Sequence, residues 1–256
     1  MPRQAAGEHR SPLSGWVSVL IEVWSDVVCP WCYIGKRRLE RAIADHEGDV
    51  EVVWRSFQLD PSAPTVPTET IAEHLGRKYG GGVEAGLAMI AQVDGIAAEE
   101  GLVYRQHEAQ VVNTVDAHRL LHLARETGHQ GALKEALLSA YFTQARNVAD
   151  HAVLREIAVS VGLPAADVDQ TLASDRFRSD VEADIDQARA YGAGGVPFFV
   201  VDGRYGISGA QPVEVFQQVL ARAAAEQPLT IVGGPGGNAG EQAADGQACG
   251  PDGCAI

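Results

Sequence analysis

The feature that most constrains the fold of this chain is Cys-Pro-Trp-Cys at residues 29–32, where a strand-like segment meets a helix-like segment. Residues 16–25 form an apolar run typical of a buried strand, and residues 33–43 have an apolar face and a basic face, which predicts a helix. The free N–H groups and the dipole at a helix start favour negative charge, so a thiol there ionises more easily. We expect Cys29 to be the outer, attacking sulfur of a disulfide-exchange pair and Cys32 to be the resolving sulfur.

The composition is typical of a soluble globular protein, with 256 residues, 46% hydrophobic and 21% charged. A formal net charge of −14 makes nucleic acids and anionic membranes unfavourable partners. No apolar run approaches the roughly 20 residues that a membrane-spanning helix needs. Residues 1–14 mix both charges with Pro and Gly and lack the apolar centre of a secretory signal. We therefore expect a cytoplasmic protein in which residues 1–15 form a disordered N-terminal tail.

Four cysteines occur in two close pairs, Cys29/Cys32 and Cys249/Cys254. In a reducing compartment, sparse paired cysteines are more often catalytic or metal-binding than structural. Two other interpretations of the first pair stay open: half of a structural zinc site, which needs four ligands, or two small buried residues. A Cys-x-x-Cys that opens a helix after a strand and contains a proline favours redox chemistry over both.

The segments after residue 43 predict the rest of a sheet and its helices. Residues 50–59 read as a second strand, and residues from about 66 to 190 carry almost only helical periodicity. Strand character returns at residues 197–201 and 205–208, which an Asp-Gly hairpin signal separates, and a final helix follows. The order is therefore βαβ, a helical block, and ββα.

This order predicts the fold class α/β: a thioredoxin fold, made of a βαβ and a ββα unit around one sheet, with a large inserted all-helical subdomain. The domain would span residues 16–227, with the insertion at about 66–190. Residues 228–256 are rich in Gly, Ala, Gln and Asp. We expect them to form a flexible tail that carries the second cysteine pair.

Val196-Pro197 is the second informative motif, because it stands immediately before a predicted strand. Proline is normally excluded from the inside of a sheet, so a proline at a strand start indicates a special geometry. A cis bond would turn the backbone of Val196 towards the thiols, where a substrate chain could pair with it as an added strand. An ordinary trans proline at a strand entry is the alternative.

Four motifs taken together resemble one family. They are SDVVCPWCY at 25–33, NTVDAHRL at 113–120, GVPFF at 195–199 and SGAQ at 208–211. In this order they resemble the DsbA-like thioredoxin family, and within it the FrnE-type branch, over about residues 17–225. The resemblance implies a thioredoxin fold with a helical insertion, Cys29 as nucleophile, Cys32 as resolving thiol and Pro197 in cis. A relative, 2-hydroxychromene-2-carboxylate isomerase, has serine where this chain has Cys29.

We therefore expect a cytoplasmic thiol–disulfide oxidoreductase or disulfide isomerase that acts on protein or small-molecule disulfides through a mixed disulfide. No nucleotide or metal cofactor is expected, and electrons would come from a thiol donor such as glutathione or thioredoxin. One alternative is a glutathione-dependent isomerase or transferase, against which the cysteine at position 29 argues. Another is a metal-binding or chaperone-like module that uses the acidic helical insertion.

Four further residues are candidates to line the site. Pro30 and Trp31 lie between the cysteines, and the composition of this pair tunes the reduction potential. Asp26 could take part in proton transfer, but a solvent-exposed capping role is the favoured interpretation. His118 is either a core or surface histidine or a residue that faces Cys29 and steers its proton.

The second cysteine pair, Cys249 and Cys254, belongs to a CGPDGC hexapeptide near the end of the chain. Some FrnE-like proteins carry a second cysteine pair in a C-terminal extension, so the resemblance implies a second redox centre that exchanges with the first. A dispensable tail with incidental thiols is the simpler alternative. Joint binding of a soft metal by both pairs is a third, but it would block the active site.

Overall fold

The computed structural model describes residues 18–225. Both predicted tails, at 1–15 and 228–256, lie outside the described residues, and so do Cys249 and Cys254. The four strands are β1 (Val19–Ser25), β2 (Val50–Ser56), β3 (Phe198–Val201) and β4 (Tyr205–Ser208). They form one sheet in the order β2-β1-β3-β4, in which β1 and β2 are parallel and the other pairs are antiparallel.

The helices account for the rest of the regular structure. They are α1 (Pro30–Ala44), α2 (Ile71–Tyr79), α3 (Gly82–Glu99), α4 (Val115–Glu126), α5 (Gln130–Phe142), α6 (His151–Ser160), α7 (Ala165–Leu172), α8 (Arg178–Ala190) and α9 (Val213–Ala225), with a short 3₁₀ turn at Gln106–Glu108. Helices α2 to α8 all lie between β2 and β3 in the chain. The predicted α/β thioredoxin fold with an inserted helical subdomain is therefore confirmed.

Helix α1 is the crossover that two parallel strands require. It packs against α9 and one face of the sheet, in a core formed by Val19, Ile21, Val23, Leu39, Ala42, Trp54, Phe199, Val201, Ile207, Phe216, Leu220 and Ala223. On the opposite face, Trp24 and Val200 pack against Ala188 of α8. Strand β1 is thus buried on both faces, which explains why its sequence is an almost continuous apolar run.

The core of the insertion is continuous with the start of α1. Tyr33 and Ile34, the residues directly after Cys32, belong to the same buried cluster as Leu120 of α4 and Leu137 of α5. Burial of these side chains removes apolar surface from water and fixes α4 and α5 beneath the thiols. The polar residues that those helices carry are thereby brought to the cysteine pair.

Helices α2 and α3 approach each other closely at two glycines. A Cβ atom added to Gly86 would lie 2.1 Å from the carbonyl oxygen of Ala72, and one added to Gly76 would lie 2.0 Å from that of Gly82. Only a residue without a side chain fits these positions. The two helices form one wall of the cleft described below.

Three predicted strand boundaries differ from the structure, one of them the start of β3, which lies at Phe198 rather than at residue 197. Strand β1 begins at Val19, and residues 16 and 17 lie outside the described residues. The second strand ends at Ser56 rather than at residue 59, because the backbone N–H of Leu59 leaves the sheet to donate a 2.8 Å hydrogen bond to Asp26. Within residues 18–225, no helix is long and apolar enough to cross a bilayer.

Candidate active site

The two cysteines lie at the N-terminus of α1. Cys29 is the N-cap residue, in an extended conformation, and Pro30 begins the helix, where its fixed φ is favourable and its missing N–H costs nothing. The N–H of Cys32 donates a 3.0 Å hydrogen bond to the carbonyl of Cys29. Both thiols are free and buried, but Cys29 lines an open cleft and Cys32 does not. Access from solvent therefore leads to the Cys29 sulfur.

Val196 and Pro197 lie beside this sulfur. The peptide bond between them is cis, as expected from the sequence. The carbonyl oxygen of Val196 accepts a 3.5 Å hydrogen bond from the Cys29 thiol, and Val196 lines the same cleft. Helix α1 approaches this segment at Gly35, where an added Cβ would lie 3.1 Å from Cγ of Pro197. The structure thus brings two motifs together that are far apart in the chain.

The surroundings of the reduced cysteine pair act differently on the pKa values of its two thiols. The pKa of Cys29 is raised, first by the hydrogen bond to Cys32 and then by burial. Burial also raises the pKa of Cys32, but the hydrogen bond from Cys29 and the ammonium of Lys134 outweigh it, so that the pKa is lowered. Cys29 is the more accessible thiol, but the expectation that it is also the more acidic one is wrong for the reduced pair. The negative charge is favoured on the inner sulfur.

Asp26 and His118 form a buried pair behind the thiols. Their side chains are 1% and 0% exposed, and Nε2 of His118 lies 3.2 Å from Oδ1 of Asp26. The predicted solvent-exposed capping role of Asp26 is wrong, because α4 of the insertion covers this loop and its histidine binds the carboxylate. His118 does not line the cleft but lies behind Asp26, which does.

Lys134 of α5 is a site residue that the sequence reasoning missed. It is fully buried, and its Nζ donates a 3.3 Å hydrogen bond to the carbonyl oxygen of Ser25, the last residue of β1. Burial lowers the pKa of Lys134 to about 8 against the raising effect of Cys32 and Asp26. One signal could have found it: Lys134 is spaced by three, four and seven residues from the apolar residues at 137, 138 and 141, which places it on the buried face of its helix.

The cleft above Cys29 has a volume of about 830 Å³. Its floor includes Pro30 and Trp31, and Trp31 is 38% exposed. Helices α2 and α3 contribute a wall that combines apolar and basic side chains, namely Ile71, Leu75, Met89, Ile90 and Val93 with His74, Arg77 and Lys78. The hydroxyl of Tyr104 fixes the floor by donating a 2.9 Å hydrogen bond to the carbonyl of Pro30. Among residues 18–225 there is no group of three or more His, Cys, Asp or Glu side chains that could hold a metal ion.

Comparison with known proteins identifies the family to which this site belongs. Residues 20–221 match the DSBA-like thioredoxin domain family. The chain belongs to this family. It is 43% identical to a probable DsbA oxidoreductase from Streptomyces coelicolor, whose crystal structure superposes with a TM-score of 0.79 and covers 93% of this chain and 99% of its own.

Two more distant similarities cover 80% and 81% of this chain. An uncharacterized protein of Bacillus subtilis (strain 168), YwbO, is 27% identical over 216 residues, which are 80% of this chain and 97% of that protein. The cytosolic disulfide reductase DsbM from Pseudomonas aeruginosa, solved with GSH, is 18% identical and superposes with a TM-score of 0.59, covering 81% of this chain and 100% of its own. At this identity the DsbM structure supports the fold alone.

Proposed function

We propose that this DsbA-like protein is a cytoplasmic thiol–disulfide oxidoreductase or disulfide isomerase that uses Cys29 and Cys32. The observation that carries the proposal is the arrangement of two free thiols at the start of α1, of which only Cys29 opens on the cleft. Because a substrate in the cleft can reach the Cys29 sulfur but not the Cys32 sulfur, Cys29 is the attacking thiol and Cys32 the resolving thiol. The few cysteines of the chain, in two pairs, suit a reducing compartment, and DsbM, which shares the fold, is a cytosolic reductase.

The reaction begins when the Cys29 thiol gives its proton to the Cys32 thiolate, and the resulting Cys29 thiolate attacks one sulfur of a substrate disulfide. The substrate S–S bond breaks, a mixed disulfide forms at Cys29, and the departing sulfur takes up a proton as a thiol. Cys32 then loses its proton, and its thiolate attacks the sulfur of Cys29 and releases the second substrate thiol. Two electrons have passed to the substrate, and the cysteine pair is now a disulfide. A thiol donor such as glutathione or thioredoxin restores the dithiol.

The backbone of Val196 is proposed to hold the substrate. Its carbonyl lies 3.5 Å from the Cys29 sulfur, so an extended segment paired there as an added strand would bring its own disulfide to the attacking atom. Trp31 and Leu59 are exposed at the same cleft and supply apolar contacts. This mixture of backbone and apolar contacts suits protein segments and small disulfides and specifies no single sequence.

The second pair, Cys249 and Cys254, is proposed to exchange electrons with the first. It belongs to the same chain, so exchange with the disulfide of Cys29 and Cys32 would be intramolecular and would benefit from a high effective concentration. This pair is not needed for the chemistry of a single turnover at Cys29. Its role would be to accept or donate electrons between turnovers.

Reduction of a protein disulfide by the purified protein, with glutathione or thioredoxin as donor, tests the proposal. The Cys29→Ser variant should lose the activity, and the Cys32→Ser variant should accumulate a mixed disulfide that mass spectrometry detects. The two variants are matched, since each removes one sulfur from the same helix turn. Retention of the wild-type rate by Cys29→Ser would overturn the proposal. Redox titration against glutathione buffers gives the reduction potential and separates a reductant from an oxidant.

A further inference from the structure

The ammonium of Lys134 is buried with most of its hydrogen-bonding capacity unmet. A lysine ammonium has three N–H donors. Among residues 18–225 the structure gives this one a single acceptor, the carbonyl oxygen of Ser25 at 3.3 Å. The ring of Trp54, from β2, lies 5.6 Å from Nζ and presents its π face. A buried cation in such surroundings is costly unless an anion faces it.

Asp26 faces the ammonium but is engaged elsewhere. Its Oδ1 lies 3.2 Å from Nε2 of His118, and its Oδ2 accepts a 2.8 Å hydrogen bond from the N–H of Leu59. Burial lowers the pKa of His118, so this neighbour on α4 stays neutral and adds no charge. The carboxylate therefore contributes charge to the site but no hydrogen bond to Lys134.

The remaining titratable neighbours of Lys134 are Cys29, the N-cap residue of α1, and Cys32 and Lys36 on that helix. Lys36 is bound by two carboxylates, Glu40 and Glu135, and does not compete for an anion. The cysteine pair is thus the group that can supply a negative charge without a fixed partner of its own. Of its two sulfurs, Cys32 is the one that the lysine charge favours as an anion.

We propose that Lys134 is a positioning residue of the active site, whose ammonium holds the Cys32 sulfur as a thiolate ready for its return attack on the mixed disulfide. The proposal rests on the proposed function of the cysteine pair. Ser25 supports this arrangement twice. Its carbonyl oxygen fixes Lys134, and its buried hydroxyl, which bonds no nitrogen or oxygen atom of residues 18–225, lies beside the Cys32 sulfur.

The charge of Lys134 links this residue to the redox state. When the pair becomes a disulfide, the Cys32 thiolate and the Cys29 thiol give two electrons to the substrate and release the one remaining proton, so the negative charge that faces the ammonium disappears. Burial then acts on Lys134 with only Asp26 to oppose it, and the pKa of the ammonium falls below its value in the reduced protein. The cation therefore stabilises the reduced pair, and its removal makes the pair a stronger reductant.

Titration of Cys32 in a Cys29→Ser protein tests this directly, with the ultraviolet absorbance of the thiolate as the readout. An opposite charge nearby lowers the pKa of an acid by about 1–3. Lys134→Met, which keeps an unbranched side chain and removes the charge, should therefore raise the pKa of Cys32 by at least about 1 and cut the thiolate fraction at neutral pH roughly tenfold. The matched control is Lys36→Met, whose charge is balanced by Glu40 and Glu135. It should shift the titration much less.

An unchanged midpoint in folded Lys134→Met protein would overturn the proposal, and so would an equal shift in Lys36→Met, which would indicate a general field effect. A second measurement needs no variant of Lys134. The chain has three lysines, Lys36, Lys78 and Lys134. Their side-chain NMR signals can therefore be titrated in the wild-type protein, where the pKa of Lys134 should be higher in the reduced than in the oxidised state. Equal values in the two states would refute the proposal.

These measurements use no disulfide substrate, so they remain decisive if the protein proves inactive in reductase assays. The kinetic counterpart is the decay of a mixed disulfide formed at Cys29. It should slow roughly tenfold in Lys134→Met, in proportion to the thiolate fraction of Cys32, while the control decays at the wild-type rate. A wild-type decay rate in Lys134→Met would count against the positioning role and leave the proposed function of Cys29 untouched.

Discussion

The imidazole of His118 is bound to the carboxylate of Asp26, with Nε2 and Oδ1 3.2 Å apart and neither side chain more than 1% exposed. Burial lowers the pKa of His118 more than the carboxylate raises it. Burial alone would raise the pKa of Asp26, but the hydrogen bond and charge of His118 and the N–H of Leu59 hold it below its usual value. A neutral imidazole therefore donates from Nε2 to an ionised carboxylate near neutral pH.

We expect this pair to make the protein lose stability in acid. Both groups have folded-state pKa values below their unfolded values, which are about 6.5 for His and about 3.9 for Asp. Each group therefore contributes its full stability above its unfolded pKa, and this contribution is lost as the pH falls through the folded-state pKa. Asp26→Asn should lower the free energy of unfolding by about 1–3 kcal/mol at neutral pH. The difference in the free energy of unfolding between Asp26→Asn and the wild type should shrink below about pH 4. Urea unfolding across a pH series measures both.

The control for this experiment is Asp175→Asn, which removes a carboxylate that is 85% exposed in its side chain. It should change the free energy of unfolding little at any pH, because an exposed pair contributes little. A difference between Asp26→Asn and wild type that does not vary with pH would contradict the expected ionisation of Asp26.

Alkylation should reach Cys29 before Cys32. The reason is access, since Cys29 lines the cleft and Cys32 lies behind it, although the charge of the reduced pair favours the inner sulfur. Because the pKa of Cys29 is raised, its labelling rate should climb steeply as the pH increases. Peptide mass spectrometry after brief treatment with a small alkylating agent measures the order. Preferential labelling of Cys32 would reverse the assignment of the attacking thiol.

Replacing Gly86 by alanine should destabilise the wall of the cleft. The added Cβ would meet the carbonyl oxygen of Ala72 at 2.1 Å, so α2 and α3 must move apart, at a cost of about 1–3 kcal/mol. Gly95→Ala on the same helix is the matched control. Nothing lies within 4 Å of its added Cβ, and it should stabilise the protein by up to about 1 kcal/mol. Thermal unfolding of the two variants gives the comparison.

The pair of glycine variants also tests the link between this wall and the active site. If α2 and α3 shape the cleft above Cys29, Gly86→Ala should raise the KM for a protein disulfide and Gly95→Ala should not. Equal stability of the two variants would show that the helices separate without cost at Gly86.

Deletion of residues 240–256 should reduce multiple-turnover activity while basal reduction by Cys29 and Cys32 persists. The deletion removes Cys249 and Cys254, and with them an intramolecular partner for the active-site disulfide. Steady-state and single-turnover assays of the truncated protein separate the two effects. Full activity in both, together with failure to trap a disulfide between the two pairs in a Cys32→Ser background, would make the second pair a bystander.

The sequence predicts the order of strands and helices well because that order follows from local signals. The apolar run of β1, the Asp-Gly turn between β3 and β4 and the helical periodicity from α2 to α8 are each visible within a few residues. The position of Cys29 and Cys32 at a helix start can also be predicted from neighbouring residues. A proline follows directly after the first cysteine, and proline is favourable at the first position of a helix.

The electrostatic surroundings of the thiols could not be predicted in this way. Asp26 was expected to be exposed because its neighbours in the chain indicate a loop, but its partner His118 lies 92 residues away. The acceptor of Lys134 is 109 residues away. Such contacts depend on how the insertion packs against α1, and a single sequence carries no periodicity that reports it. The acidity of the cysteine pair depends on the same contacts.

The charged groups behind Cys29 and Cys32 come mostly from the segment that separates β2 from β3. Joining these strands directly would keep the four strands and the Cys-Pro-Trp-Cys motif in the chain, yet it would delete both His118 and Lys134 and leave Asp26 uncovered. A minimal thioredoxin scaffold carrying this tetrapeptide would therefore not inherit the redox properties of the protein. Transplanting them would require α4 and α5, grafted in register with the start of α1.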